Sequence, residues 1–345
     1  MNKRKFLLLL LILTLILTAC NTNKSSEALG LNAVSEETVQ FHFIDVGQGD
    51  CTFIQNGDTT ILIDAGPQKS GHIVYNYLKK LGIKYLDYFI GTHPHEDHIG
   101  GAFSVLTGID VGCVFLNGDG DEGFHFENLV DLLIEKNITP EIPDTDCIYQ
   151  IGGLRLKFLS PTQTYEDTNY NSLVVRVDFK NVSALFTGDI EKPVESDLLS
   201  KDINLSADIL KVAHHGSRNS SSIEFLYAVS PAVAVIQCGK GNSYGHPHSE
   251  ALDRLTKTGT QILRCDKEGT IIIATDGETV CRSTGEKYIK PDNSKKQFIY
   301  IGNKKSMVVH SDTCPNLPAE NNRIEFNTLK DAINEGYKKC GNCNP

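Results

Sequence analysis

The sequence predicts an α/β protein in which two β-sheets are flanked by helices, followed by a small separate C-terminal module. Apolar, strand-like runs come first in the body, and mixed strand and helix segments follow, which suits two packed sheets with helices outside them. Residues that can bind metal ions come directly after several of these strands. A polar stretch at 283–297 indicates a linker. We therefore expect a body at 39–282 and a module at 298–345.

The N-terminus has the organisation of an export signal. Three basic residues precede an apolar run at 6–19, which is shorter than the roughly 20 residues of a membrane span. The run ends in Leu-Thr-Ala before Cys20, which resembles the bacterial lipobox and implies cleavage before Cys20 and a lipid on its thiol. We expect a signal peptide at 1–19, a polar tether at 20–38, and an exported protein anchored on the outer face of the bacterial cytoplasmic membrane. An uncleaved anchor would leave the same outward-facing topology.

The charge of the chain limits how it can meet a polyanion. The formal net charge is −10, and loss of the three basic residues with the signal would make it −13. A body this acidic does not favour electrostatic binding of nucleic acid over a broad surface.

The elements of the body follow from apolar periodicity and from glycine or polar breaks between the runs. Strands are predicted at 39–45, 51–55, 59–64, 86–91, 111–116, 172–179, 182–186, 207–213 and 232–237, with a hairpin at 148–160 and closing strands within 262–280. Helices are predicted at 70–81, 99–106, 127–136, 193–201, 223–229 and 249–257. Six cysteines lie scattered among apolar neighbours, where small buried side chains are expected rather than bridges; Cys265 and Cys281, which flank a predicted hairpin, are the pair most suited to a disulfide.

The segment after the strand at 86–91 concentrates metal ligands. His93 and His95 project to one side if this segment is extended, because strand side chains repeat every two residues. Asp97 and His98 follow on the next turn. This spacing suits two adjacent metal ions, one on the paired histidines and one on the Asp–His pair.

This H-x-H-x-D-H motif after a strand resembles the signature of the metallo-β-lactamase superfamily. The resemblance implies an αββα sandwich with its site at one rim of the sheets. It also implies that Asp189, at the end of a strand beside Gly188, bridges two metal ions. Asp64 ends a strand in the same way and resembles the carboxylate that orients a metal-bound histidine, and Asp45 is assigned the same role. For Asp189 and Asp64, a simple turn cap at a strand end is the alternative.

Two further histidine pairs complete the candidate site. Of His214 and His215, strand alternation leaves one to bind metal, and we assign His215 as the ligand and His214 as a neighbour or phosphate contact. His248, which precedes a helix, is a ligand, a general acid or an anion contact. The expected catalytic residues are Asp97, His214 and His248.

The wider series of motifs narrows the resemblance. The segments 43–50, 92–101, 171–174, 187–189, 210–217 and 244–248 occur in the order found in the metallo-β-lactamase-like domain of ComEC competence proteins. This resemblance implies a metal-dependent phosphodiesterase or nuclease that acts on DNA or another phosphodiester. Asn171 and Ser172 stand where many superfamily members carry a histidine. One metal is therefore expected to be held loosely, which suits Zn²⁺ or Mn²⁺, with Mg²⁺ as a further option.

The C-terminal module carries four ligands with the spacing of a closed zinc site: His310, Cys314, Cys340 and Cys343. A module of this size buries little core, so a metal would stabilise it. The spacing resembles the zinc-binding domain of the DNA-repair protein Ada, with His310 in place of that family's reactive cysteine. Methyl transfer is thus not expected, and a structural or DNA-contacting zinc module is. The alternative is a disulfide between two of the three cysteines.

Together these observations predict an exported metallohydrolase, most plausibly a DNA phosphodiesterase linked to competence and DNA uptake. The alternatives are a phosphorylcholine-type esterase or other surface hydrolase on the same fold, and a competence component that binds DNA without cutting it.

Overall fold

The computed structural model describes residues 34–119, 123–145, 147–201, 203–291, 300–312, 314–326 and 329–343. The predicted signal, Cys20 and most of the tether lie outside these residues. Within the described parts of the chain, no helix is long and apolar enough to cross a bilayer.

The strands and helices alternate along most of the chain. The strands are β1 Val39–Phe43, β2 Thr52–Asn56, β3 Thr59–Ile63, β4 Tyr85–Gly91, β5 Asp110–Leu116, β6 Ile148–Ile151, β7 Leu154–Ser160, β8 Val174–Phe179, β9 Val182–Phe186, β10 Ile209–Lys211, β11 Val233–Ile236, β12 Gln261–Arg264, β13 Ile271–Thr275, β14 Val280–Arg282, β15 Lys287–Tyr288, β16 Tyr300–Asn303, β17 Val308–Ser311, β18 Arg323–Phe326 and β19 Lys338–Lys339. The helices are α1 Gly71–Lys80, α2 Glu96–Ile99, α3 Ala102–Gly108, α4 Phe124–Glu135, α5 Lys192–Ser200, α6 Ile223–Val229, α7 Ser249–Lys257, α8 Cys265–Glu268 and α9 Leu329–Asn334.

The body is built on two large sheets. The first has the order β15-β14-β13-β1-β2-β3-β4-β5, and the second has the order β12-β11-β10-β9-β8-β7-β6. Their inner faces pack on each other: the Phe41 and Phe43 rings of β1 lie 6.2 and 6.1 Å from the Phe186 ring of β9. A third sheet, β18-β16-β17-β19, belongs to the C-terminal module.

Helices cover the outer face of each large sheet. The first sheet packs on buried side chains of α1, α3 and α4, such as Val74, Val105 and Leu129. The second packs on α5, α6 and α7 through side chains such as Leu198 and Phe225. The layers are therefore helix, sheet, sheet, helix, and the predicted αββα architecture is confirmed.

The parallel parts of the two sheets decide where the site lies. Strands β3, β4 and β5 run parallel, and so do β9, β10, β11 and β12, with helices in the crossovers. The carboxyl ends of each parallel set share one edge of their sheet. The loops after β3, β4, β9, β10 and β11 carry most of the predicted site residues.

Three local predictions need correction. The predicted helix at 99–106 is two short helices, α2 and α3, separated at Gly100 and Gly101. The strand that leads to His214 ends at Lys211, and both His214 and His215 lie in a tight turn with φ of 48° and 52°. The predicted closing strands do not form one unit, because β12 belongs to the second sheet whereas β13 and β14 belong to the first.

Among the described residues, the cysteines outside the C-terminal cluster form no disulfide. Cys51, Cys238 and Cys265 are buried, as the sequence predicted, and the Cys265 Sγ lies near the Phe43 carbonyl. Cys147 is exposed, so the expectation of burial is wrong for it, because it falls in the loop before the edge strand β6.

Candidate metal centre

Four buried side chains from four separate loops converge where the two sheets meet. Asp50, His98, Asp189 and His215 each offer a ligand atom, and these atoms all lie within 4.8 Å of one another. Asp189 follows β9 and lies at their centre, with its Oδ2 3.3 Å from His98 Nε2 and 3.4 Å from His215 Nε2. Asp189 is therefore the carboxylate on which the buried histidines converge, and its bridging role stays a prediction.

Asp64 holds His98 in position. Its Oδ1 accepts from the Thr92 backbone N–H at 2.8 Å, and its Oδ2 accepts from the Thr92 hydroxyl at 2.8 Å and from His98 Nδ1 at 2.9 Å. Because Nδ1 donates to Asp64, a neutral His98 presents the lone pair of Nε2 toward Asp189, where a metal ion would replace the proton of the charged ring. The left-handed backbone of Asp64, with φ of 55°, turns its side chain back under β4. The structure thus places Asp64 where it can orient His98.

His93 and His95 converge as the extended segment predicted. His93 Nε2 lies 3.1 Å from His95 Nδ1, and the His93 ring lies 4.1 Å from the His98 ring. Ser172 occupies the place next to His93: its hydroxyl is 3.3 Å from His93 Nδ1 and accepts from the Asp189 N–H at 3.1 Å. A serine here orients His93 and Asp189 but offers no imidazole, consistent with a second, weaker ion site.

The turn after β10 separates the roles of its two histidines. His215 is buried, with Nδ1 3.0 Å from the Gln237 carbonyl and Nε2 3.2 Å from Asp97 Oδ2. His214 is half-buried, with Nδ1 3.0 Å from Glu191 Oε1 and Nε2 3.7 Å from Asp189 Oδ2. The two rings separate because a left-handed turn, rather than strand alternation, carries them.

Sequence reasoning missed two buried residues of this centre. Asp50, in the glycine-rich turn after β1, contacts His215 Nδ1 at 3.2 Å and forms an ion pair with Lys211. Lys211 is the last residue of β10, donates to the Gly188 carbonyl at 3.0 Å, and lies 3.8 Å from Asp189 Oδ1. A lysine at the end of an apolar strand, directly before a histidine pair, was the available signal, since buried lysines need a carboxylate partner.

Charge in the centre is balanced by protons on its imidazoles. Burial opposes the charged forms, yet Asp189, Asp64 and Asp50 raise the pKa of His98 well above its ordinary value. Burial likewise opposes ionisation of Asp189, but His215 and His98 hold the pKa of Asp189 well below its ordinary value. For Asp97, burial is outweighed by the hydrogen bond from His215, so the pKa of Asp97 is lowered. A divalent cation can take the place of these protons.

The orphaned polar atoms of the centre fit a metal ion. Asp189 Oδ1 and His98 Nε2 are buried and make no well-formed hydrogen bond, although His98 Nε2 lies 3.3 Å from Asp189 Oδ2. Carboxylate oxygens and imidazole nitrogens at such spacing are the ligands of Zn²⁺ and Mn²⁺. The side chains present therefore suit a bound divalent ion.

His246 and His248 lie at the rim of the centre. The His246 ring is 5.6 Å from the His214 ring and 4.8 Å from the His248 ring. Burial lowers the pKa of His246 to about 4, which keeps it neutral. His248 Nδ1 accepts from the Arg218 backbone N–H at 3.1 Å, so a neutral His248 carries its proton on Nε2. His248 is placed as a donor to an anion.

Asp45 lies at the edge of the group. Its carboxylate accepts from the Gly47 N–H at 3.1 Å, and its own N–H donates to the Thr270 hydroxyl. These contacts are those of a turn residue. Any influence of Asp45 on a metal-binding histidine would pass through the turn that leads to Asp50.

The C-terminal module contains a second ligand cluster. His310 on β17, Cys314, Cys340 and Cys343 offer ligand atoms within 4.8 Å of one another. The His310 Nδ1 lies 3.3 Å from the Cys314 Sγ, and the Ser311 N–H points to the Cys343 Sγ at 3.4 Å. The three cysteines are free thiols, and one imidazole with three sulfur atoms could hold a zinc ion.

Comparison with known proteins gives consistent matches to the body. The Metallo-beta-lactamase superfamily profile matches residues 44–240. ComE operon protein 3 of Bacillus subtilis (strain 168) is 33% identical over 249 residues, which is 66% of this chain and 32% of that protein. Competence protein ComA of Neisseria gonorrhoeae is 30% identical over 242 residues, 69% of this chain and 33% of that protein. The chain thus spans about a third of the length of these curated relatives.

Solved structures with similar architecture share little sequence. The metallo-beta-lactamase fold protein YhfI from Bacillus subtilis has a TM-score of 0.48 and 14% identity, covering 69% of this chain and 99% of that chain. Igni18, a metallo hydrolase from Ignicoccus hospitalis, has a TM-score of 0.46 and 17% identity, covering 68% of this chain and 98% of that chain.

Proposed function

Because the chain belongs to the metallo-beta-lactamase superfamily of metal-dependent hydrolases and is related to competence proteins, we propose that it is an exported phosphodiesterase that cleaves extracellular DNA. The observation that carries the proposal is the convergence of three imidazoles on one buried carboxylate. Asp189 Oδ2 lies within 3.7 Å of His98, His214 and His215. This arrangement supports a hydrolytic centre over a purely structural polar cluster, because four buried side chains place atoms that can bind a metal within 4.8 Å of one another.

The residues divide into two proposed ligand sets. Asp97, His98, Asp189 and His215 would hold one divalent ion, and His93 and His95 would hold a second that shares Asp189. Two such ions lower the pKa of a water molecule and neutralise charge on a phosphodiester. Asp50 and Lys211 would fix the total charge of the centre, since their ion pair lies directly behind Asp189.

Two histidines are proposed to act on the substrate. Glu191 accepts from His214 Nδ1, which fixes the ring and leaves Nε2 3.7 Å from Asp189 Oδ2. With both ring nitrogens protonated, His214 can then donate a hydrogen bond to a phosphoryl oxygen or a proton to the departing oxygen. The Nε2–H of His248 supplies a second donor, since its Nδ1 is occupied by Arg218.

The test is hydrolysis of several substrates by the purified full chain. Bis-p-nitrophenyl phosphate, single-stranded DNA, duplex DNA and p-nitrophenyl phosphorylcholine would be incubated with Mn²⁺, Mg²⁺ or Zn²⁺. We expect diester turnover that Asp189→Ala abolishes, while Asp253→Ala, an exposed aspartate of α7, keeps it. No turnover with any metal, together with retained DNA binding, would leave a DNA-binding component instead. Turnover of the choline ester but not of DNA would indicate the esterase.

Export and anchoring through Cys20 belong to the same proposal. A lipid on Cys20 would hold the hydrolase at the membrane surface through the tether at 20–38. We expect the chain to fractionate with membranes and Cys20→Ser to release it. A Cys20→Ser chain that stays with the membrane would show that the apolar run at 6–19 is an uncleaved anchor.

The C-terminal module is proposed to bind one structural zinc ion through His310 and the three cysteines. The zinc would stabilise the small sheet, whose own core has few buried side chains, among them Tyr300, Val309 and Phe326. Asp189→Ala should leave this zinc in place, which separates the two metal sites by elemental analysis.

A further inference from the structure

A cavity of about 580 Å³ opens onto the candidate metal centre. One wall contains His95, Glu96 and Asp97, two of which are candidate metal ligands. Further walls come from the turn that contains Lys69 and from the loop that ends at Tyr244. A substrate that reaches the metal centre through this cavity therefore passes the Tyr244 side chain.

Tyr244 presents an aromatic face at the mouth of this cavity. Its side chain is 65% exposed, an unusual state for a ring of this size. The ring stacks on His246 at 5.8 Å with an interplanar angle of 22°, and the His246 ring lies 6.0 Å from the His215 ring. The His246 ring therefore packs on one face of Tyr244, and it also contacts the ring of His215, a candidate metal ligand.

The charges around the cavity offer little to a phosphate backbone. Lys69 is the lysine among the lining residues, which also include the acidic residues Glu96 and Asp97. The chain as a whole carries a formal charge of −10. Duplex DNA is held chiefly by cations at its phosphates, so this cavity has few means of binding a duplex. An unpaired strand can instead gain affinity by stacking its bases on aromatic rings.

We propose that Tyr244 is a stacking subsite for one unpaired nucleobase, which makes the cavity selective for single-stranded DNA. This inference rests on the proposed phosphodiesterase function and adds the substrate class. A base that stacks on Tyr244 leaves its attached phosphate free to extend toward His95 and Asp97 along the cavity. Bases inside a duplex have both faces covered by their neighbours and cannot reach the ring.

The test is binding of short labelled oligonucleotides to the full chain carrying Asp189→Asn, which prevents cleavage. Fluorescence anisotropy would compare oligothymidylate with an abasic strand of the same length and with a duplex. The variants are Tyr244→Leu, which removes the ring, Tyr244→Phe, which keeps it, and Tyr85→Leu. Tyr85 is a matched control because it is 50% exposed and begins β4, whose other end carries the site.

We expect Tyr244→Leu to weaken oligothymidylate binding by about five- to 150-fold, since stacking on one ring is worth about 1–3 kcal/mol per base. Tyr244→Phe and Tyr85→Leu should bind within about twofold of the parent. The abasic strand should bind weakly to all of them. The slope of log affinity against log salt should be shallow, because each phosphate contact adds only about −0.7 and a single lysine faces the cavity.

Equal binding of oligothymidylate and the abasic strand, or equal binding by Tyr244→Leu and Tyr85→Leu, would overturn the stacking subsite. A selective loss of p-nitrophenyl phosphorylcholine turnover in Tyr244→Leu, with DNA binding unchanged, would also overturn it and assign the ring to a quaternary ammonium group. Failure of the chain with native Asp189 to hydrolyse bis-p-nitrophenyl phosphate would instead contradict the phosphodiesterase function, and the binding comparison would still decide the role of Tyr244.

Discussion

Replacing Asp64 with asparagine tests how the site positions its metal ligands. The substitution keeps the size of the side chain, and asparagine tolerates the left-handed backbone found at this position, where φ is 55°. It replaces one acceptor oxygen with an amide donor and removes the charge of the carboxylate. In the native protein one carboxylate accepts from three donors: the Thr92 N–H, the Thr92 hydroxyl and His98 Nδ1.

The magnitude follows from counting these donors. An asparagine amide group in place of Oδ1 faces the Thr92 N–H, and one in place of Oδ2 faces both the Thr92 hydroxyl and His98 Nδ1. At least one donor therefore loses its acceptor in either orientation. An unsatisfied buried donor costs about 1–3 kcal/mol. Loss of the partner of a ligating histidine weakens metal binding by about 10- to 100-fold. We therefore expect Asp64→Asn to lower both stability and metal affinity.

The assay separates the two effects. Titration with Mn²⁺, followed by the electron paramagnetic resonance signal of the free ion, reports the oxygen and nitrogen site, because Mn²⁺ is poorly suited to the thiolate cluster. Asp87→Asn is the matched control: its carboxylate accepts from the Thr60 N–H at 2.8 Å and from the Thr60 hydroxyl at 3.2 Å, without an imidazole partner. Both donors go to Oδ2, which the asparagine oxygen can replace, so Asp87→Asn should lose less stability and bind Mn²⁺ normally. Mn²⁺ affinity of Asp64→Asn within twofold of the parent would refute the positioning role of Asp64.

Three further predictions concern other parts of the molecule. Burial lowers the pKa of His42 to about 4, compared with about 6.5 in the unfolded chain. The free energy of unfolding should therefore fall by about 3 kcal/mol as the pH falls from above 6.5 to about 4, because the buried ring must then take up a proton. Urea unfolding of His42→Gln should show a smaller fall over this pH range, and an unchanged fall would contradict the prediction. His310→Ala should reduce bound zinc by about one ion per chain, measured by elemental analysis, whereas the exposed His72→Ala should not. The buried Glu195 carboxylate accepts from the N–H groups of Ser221 and Ser222, one on each oxygen. Glu195→Gln replaces one of these acceptors with a donor and should lower the free energy of unfolding by about 1–3 kcal/mol. A loss no larger than that of a surface substitution would contradict this prediction.

The two sheets and their helices could be predicted because their signal is local. Apolar runs of strand length, such as that at β4, and helical spacing, such as that of α1, mark elements whatever they pack against. The turn of His214 and His215 could not be predicted in this way. Both residues adopt a left-handed backbone that only the surrounding structure enforces, and sequence periodicity extended the strand across them.

The sequence by itself determined the fold class and most candidate ligands, because the H-x-H-x-D-H spacing and the strand-end aspartates are local patterns. Only the tertiary structure brought Asp50 and Lys211 into the centre. Asp50 lies in an early turn and Lys211 ends a strand of the other sheet, and they meet because the two sheets pack face to face. Their ion pair satisfies two charges that neither segment could bury alone. The exposure of Tyr244 beside the cavity was likewise decided by tertiary packing, since burial depends on which distant loops surround a ring.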